Sequence, residues 1–181
     1  MSGPASSGPA GRSTRSPARF WSRWVALALL LIGLAGGAAW FFRGAAPPAL
    51  APSPHALQPD DPQLVARGGA LYAQECAACH GARREGQPDW RERGPTGLLP
   101  APPHDASGHT WHHSDEQLFD ITQRGLAAVI GQPDYQTAMP VYAGVLSDTD
   151  IVAVLSYIKA QWPAEVRARH DQINAEARAA R

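Results

Sequence analysis

Apolar residues along the chain fall into one long run and three shorter segments. The run extends from residue 24 to residue 42 without a charged side chain. The three segments begin near residues 62, 114 and 147 and repeat apolar residues three and four positions apart, as the buried face of a helix does. The stretches between them, 81–113 and 126–144, have no sustained period. The pattern therefore predicts one very apolar segment followed by three helices joined by long loops.

The apolar run has the length and the flanks of a transmembrane helix. Its residues, 24–42, would span roughly 28 Å at helical rise, close to the hydrocarbon thickness of a bilayer. Four Arg precede the run and only Arg43 closely follows, which places the N-terminus in the cytoplasm. The alternative is a cleaved signal peptide with its apolar region at 25–34 and small residues at Gly37 and Ala39. We favour the uncleaved anchor because the run continues past that point and ends in aromatic residues.

The anchor divides the chain into parts of different composition. Residues 1–23 are rich in Ser, Gly, Pro, Ala and Arg, which predicts a disordered cytoplasmic tail. Residues 43–61 are rich in Pro and Ala and predict a semi-extended tether, in which His55 is solvated. Residues 62–163 form the predicted domain, and residues 164–181 predict a polar, solvated helical tail.

The first helix of the domain is expected to begin at Pro62, a residue tolerated in the first turn, with Asp60 or Asp61 as its N-cap. Gly68 lies in the middle of its apolar face. Because glycine lowers helix propensity, its presence on a buried face suggests that another helix crosses closely there. The helix runs directly into Cys76.

The second and third helices have clear start signals. Ser114 and Gln117 form a capping-box pattern, and Gly125 is expected to end that helix. Its inner face is predicted to consist of Leu118, Ile121 and Thr122. The third helix is expected to begin at Ser147 and to end before Pro163.

The two cysteines of the chain both lie in the sequence Cys-Ala-Ala-Cys-His, at residues 76–80. This spacing lets Cys76 and Cys79 form thioethers with the two vinyl groups of one haem, while His80 faces the iron. A zinc site would need two further ligands at motif spacing, and a dithiol redox site would lie in a βαβ pattern that the chain lacks. The motif therefore predicts covalent attachment of one haem c.

Three features together resemble a class I bacterial c-type cytochrome domain. They are the motif at 76–80, the pair Met139-Pro140 sixty residues after Cys79, and the sequence LSDTDIVAVLSYIKAQWP at 146–163. The resemblance covers roughly residues 62–163. It implies an all-α fold wrapped around the haem, with the first and last domain helices crossing near Gly68 and Tyr72, opposite Tyr157 or its neighbours.

The resemblance also implies the axial ligands of the iron. His80 would be the fifth ligand and Met139 the sixth, and a soft thioether suits low-spin haem iron. The only other methionine is the initiator, although Met139 as simple loop packing is the alternative. In the family a loop proline carbonyl accepts a hydrogen bond from the ligand histidine. The candidates here are Pro95, Pro100, Pro102 and Pro103.

Four histidines lie close together in the first long loop: His104, His109, His112 and His113. Imidazole groups bind copper and zinc, so a second metal site is one interpretation. The other is that these residues bond haem propionates, cap the following helix or pack against the haem edge. Neighbouring residues on one regular element cannot both face inward, which weighs against the metal site. Replacement of Met139 by one of them as sixth ligand is a third possibility.

The charge distribution completes the functional prediction. Residues 60–163 carry thirteen acidic against seven basic residues, so a basic nucleic-acid surface is not supported. We expect a single-pass protein of the bacterial inner membrane whose periplasmic domain carries electrons from a donor reductase to an acceptor oxidase and is not itself an enzyme. The alternatives are an electron-entry subunit of a larger oxidoreductase and a haem protein with an added copper-binding loop.

Overall fold

The computed structural model describes residues 53–181 and four residues of the apolar run. Those four are helical and exposed: Leu27, Leu29, Leu30 and Ile32. They belong to a separate unit, Met1–Ala49, from the unit Leu50–Arg181. Most of the predicted anchor at 24–42, the tail before it and the first part of the tether lie outside the described residues. Within the part of the chain that is described, no helix is long and apolar enough to cross a membrane.

The unit Leu50–Arg181 is helical. Its described residues contain no strand, apart from an isolated bridge between Ala143 and Leu146. A 3₁₀ turn at Thr110–His112 and six helices follow in chain order: α1 Pro62–Glu75, α2 Ala77–His80, α3 Asp115–Arg124, α4 Leu126–Val129, α5 Asp148–Ala160 and α6 Ala164–Ala179. The all-α prediction is thus confirmed for this part, with α4 as a short helix inside a stretch predicted to be irregular.

The helices begin and end where the sequence signals predict. The Asp61 carboxylate, rather than that of Asp60, accepts hydrogen bonds from the first backbone N–H groups of α1. Ser114 and Gln117 form the predicted capping box of α3, and Gly125 ends that helix with φ 82°. Ser147 accepts from the Asp150 backbone N–H at the start of α5. These local bonds satisfy backbone groups that a helix leaves unpaired at its ends.

Helices α1 and α5 cross at Gly68, as expected. A Cβ atom at Gly68 would overlap the Ala153 carbonyl and lie 2.9 Å from the Tyr157 Cβ. Beside this contact, the Tyr72 and Tyr157 rings lie 5.5 Å apart. The crossing needs a residue without a side chain, which explains why the apolar face of α1 contains a glycine.

The core lies between α1, α3 and α5. It consists largely of aliphatic residues of α5, joined by residues of α1, of α3 and of the turn after α5: Tyr72, Leu118, Phe119, Ile151, Val154, Leu155, Ile158 and Trp162. Ile121, predicted for the inner face of α3, is only half-buried, and Phe119 is fully buried instead.

The last part of the predicted tether packs against the domain. Leu57 belongs to the core, and its backbone N–H donates to the Asp115 carboxylate over 3.0 Å. The His55 ring stacks on Phe119 with centroids 3.6 Å apart and contacts Glu116. The prediction that His55 is solvated is therefore wrong. A single leucine in a Pro-rich stretch forms no hydrophobic repeat, so the sequence pattern does not predict its burial.

The C-terminal helix α6 is also docked rather than solvated. Its His170 side chain is 0% exposed, and Asn174 is buried. Asn174 accepts from the Asp115 backbone N–H over 2.8 Å and donates to the Asp115 carboxylate over 3.0 Å. Lys159 of α5, itself buried, donates to Asp171 over 2.6 Å. The helix was predicted correctly. It is held against the domain by polar contacts, which the spacing of apolar residues cannot predict.

Candidate functional site

The cysteine motif forms a single helical turn directly after α1. The backbone N–H groups of Cys79 and His80 both donate to the Cys76 carbonyl, over 3.1 and 2.9 Å. Cys76 is half-buried and Cys79 exposed, and neither is in a disulfide. Burial, reinforced by the negative charges of Glu75 and Cys79, raises the pKa of Cys76 to about 11. A dithiol redox site lowers its cysteine pKa instead, so the structure disfavours that alternative.

The His80 imidazole is buried and held by one hydrogen bond. Its Nδ1 lies 2.8 Å from the Pro102 carbonyl oxygen, which can only accept. Nδ1 therefore carries the proton, and Nε2 keeps its lone pair for a metal ion. Burial lowers the pKa of His80, against the raising effect of the Pro102 bond, so the ring is in the neutral form that ligates metals. Among the four candidate prolines, Pro102 is the one that meets His80.

Two buried tyrosines fix the backbone on either side of the motif. The Tyr72 hydroxyl donates to the Gly81 carbonyl over 2.9 Å, and the Tyr142 hydroxyl donates to the Glu75 carbonyl over 2.7 Å. Burial raises the pKa of Tyr142 to about 12, so it remains a donor. Sequence reasoning missed Tyr142, because a lone aromatic residue in an irregular segment has no periodic signal.

The loop 81–113 is largely irregular, but backbone hydrogen bonds hold it in place. The His104 backbone N–H donates to the Arg84 carbonyl over 2.8 Å, and that of Gly86 donates to the His80 carbonyl over 2.8 Å. Gly86 has φ +70° and approaches Pro102 so closely that a Cβ atom would lie 2.7 Å from its carbonyl carbon. These contacts return the loop to the cysteine motif, which is how Pro102 reaches a histidine 22 residues earlier.

The histidine-rich segment divides between two places. His104 stacks on His80, with ring centroids 3.9 Å apart. His109 stacks on Trp90 and approaches the edge of His113, while His112 stacks on Trp111.

The described residues contain no group of three or more His, Cys, Asp or Glu side chains arranged to hold a metal ion. The four histidines for which a second metal site was one interpretation do not form such a group: His104, His109, His112 and His113. The reason is that His104 packs against His80, while the rings of His109 and His112 lie against tryptophans of the loop.

Met139 lies in the irregular segment after α4 and is half-exposed. Its backbone N–H donates to the Thr137 hydroxyl over 3.1 Å. Three apolar side chains on the same stretch of chain are also exposed: Ile130 by 41%, Val141 by 51% and Val145 by 64%.

A sequence-family model for cytochrome c matches residues 65–162, more than half of the chain. The chain belongs to the cytochrome c family. No curated protein and no solved structure matches it at a significant level. Membership implies a covalently bound haem c and a function in haem-based electron transfer.

The residues of this cytochrome fit that cofactor. Cys76 and Cys79 are unpaired thiols on one helical turn, and His80 offers Nε2 as a neutral nitrogen donor. Met139 is half-exposed and offers a thioether donor. When bound, haem c supplies the one-electron couple of its iron. The chain would attach it, orient its ligands and shield it from water.

Proposed function

We propose that the chain is a membrane-tethered, monohaem cytochrome c of the bacterial class I kind, which carries single electrons on the periplasmic side of the inner membrane. The observation that supports this most is the state of His80. Its Nδ1 donates a hydrogen bond to the Pro102 carbonyl, which leaves Nε2 as the nitrogen with a lone pair for a metal ion. Two unpaired thiols precede it on the same turn. A histidine used only for packing would not need this combination.

In this proposal the four site residues have distinct roles. Cys76 and Cys79 form the thioether bonds to one haem c. His80 is the fifth iron ligand and Met139 the sixth. Ligation by His and Met raises the reduction potential compared with two histidines, which suits delivery to a terminal oxidase or another high-potential acceptor. The protein is then an electron carrier between a donor reductase and that acceptor rather than an enzyme.

The proposed location rests on the sequence before the domain. The apolar run at 24–42 and the excess of Arg before it support an anchor with its N-terminus in the cytoplasm. The excess of acidic over basic residues in 60–163 supports encounter with a basic surface on the partner, weakened by salt.

Replacement of Met139 tests the proposed ligand set. In the haem-loaded full chain, the Met139→Ala variant should lose the methionine–iron charge-transfer band of the ferric protein, and its potential should fall because a soft ligand is removed. Absorption spectra with a redox titration measure both. Gln136→Ala, an exposed and uncharged residue of the same segment, is the matched control and should leave both unchanged. An unchanged spectrum and potential in Met139→Ala would show that another group is the sixth ligand.

A further inference from the structure

We propose that His104 is a positioning residue for His80: its ring fixes the plane of the His80 imidazole. The inference rests on the proposed function, in which His80 ligates the haem iron. It concerns a residue for which the sequence suggested metal binding, propionate contacts or packing. None of those interpretations placed it against the ligand itself.

The contact between the two rings is a stacked one. Their centroids lie 3.9 Å apart and their planes differ by 24°. The Pro102 carbonyl meets the His80 ring at its edge, through Nδ1, whereas His104 covers a face of the same ring. A single hydrogen bond tolerates a range of ring orientations, because its angular preference is broad. A flat group against the face narrows that range.

His104 is itself held at three atoms. Its backbone N–H donates to the Arg84 carbonyl over 2.8 Å, and its carbonyl accepts from the Trp162 indole N–H over 2.8 Å. Its Nδ1 lies 2.8 Å from the Thr110 hydroxyl, which is buried. These contacts join His104 to a loop, to the end of α5 and to the 3₁₀ turn. The stacking surface is therefore anchored independently of His80.

The two contacts act on different parts of the His80 ring: the Pro102 carbonyl bonds its edge, and the His104 ring covers a face. The orientation of a ligating histidine and the basicity of its nitrogen depend on such supporting contacts. His104 thus joins Pro102 in setting the geometry at the iron.

The test compares variants of the haem-loaded full chain by electron paramagnetic resonance of the low-spin ferric state, whose g-values respond to the plane of the axial imidazole. His104→Ala should shift the largest g-value beyond the spread of replicate samples. His104→Phe keeps a flat ring and should stay close to the wild type. His112→Ala removes an exposed ring of the same loop and should have no effect. Wild-type g-values in His104→Ala, or an equal shift in His104→Phe, would overturn the inference.

A second variant covers the case in which His104→Ala does not load haem. Thr110→Val keeps the shape of a buried side chain but removes the hydroxyl that holds His104 Nδ1. A shift of the largest g-value in the electron paramagnetic resonance spectrum of Thr110→Val supports the inference, and wild-type g-values overturn it.

His80→Ala separates this inference from the proposed function. If His80→Ala keeps the wild-type low-spin signal, His80 is not the ligand and the proposed function fails. If His80→Ala loses that signal while His104→Ala retains unshifted g-values, only the positioning role fails.

Discussion

The two segments that supply the proposed iron ligands are held very differently. His80 lies on a helical turn with a Pro102 bond at its edge, a His104 ring on its face and a tyrosine bond on each side of the motif. Met139 is half-exposed in a segment without regular structure, near exposed valines. The chain alone determines the geometry on the histidine side. On the methionine side, the one hydrogen bond that the structure shows for Met139 within the described residues is local, from its backbone N–H to the Thr137 hydroxyl.

This difference predicts where the fold is sensitive to mutation. Tyr72 is 1% exposed and contacts Tyr157, His104 and the Gly81 carbonyl, so Tyr72→Ala should lower the free energy of unfolding by about 3–5 kcal/mol. Val145→Ala removes an exposed side chain and should change it by less than about 0.5 kcal/mol. Denaturant unfolding of the haem-loaded chain measures both. Similar losses for the two variants would mean that the segments are equally well packed.

Acid should weaken the packing of α6, which contains His170, in a defined direction. Burial, followed by the positive charge of Lys159, lowers the pKa of His170 from its usual 6.5, although Asp115, Asp171 and the His113 carbonyl act in the opposite direction. The pKa of His170 is therefore lower in the folded chain than in the unfolded chain. Between these two pKa values the unfolded chain binds more protons than the folded one, so the free energy of unfolding falls as the pH drops below about 6.5.

The His170→Gln variant should reduce this pH dependence, because glutamine does not titrate. Stability curves of the two proteins from neutral to acidic pH measure the difference. His109 and His113 also have pKa values lowered by burial, so part of the dependence should remain. Identical slopes in both proteins would show that His170 does not contribute.

The sequence predicted what is local or periodic. The caps at Asp61, Ser114 and Ser147 follow from bonds within four residues, and the crossing at Gly68 follows from one small residue on an apolar face. The cysteine motif carries its chemistry in five consecutive residues. Each of these features is a property of a short stretch of chain, which is why a sequence can report it.

The remaining features depend on contacts between distant residues of irregular backbone. The bond from Tyr142 joins residues 67 positions apart, and that between Trp162 and His104 joins residues 58 positions apart. Leu57 and His170 are single buried residues in segments of polar or Pro-rich composition. No period marks such residues, because their position is decided by how the loops return to the core.

The covalent state of the cysteine motif decides whether this chain carries haem c. The full chain should be produced in cells that mature c-type cytochromes, then digested, and the peptide containing residues 76–80 should be weighed by mass spectrometry. We expect one haem, bound through Cys76 and Cys79, and none on a variant with both cysteines replaced by alanine. Two unmodified thiols in protein that nevertheless contains haem would contradict it.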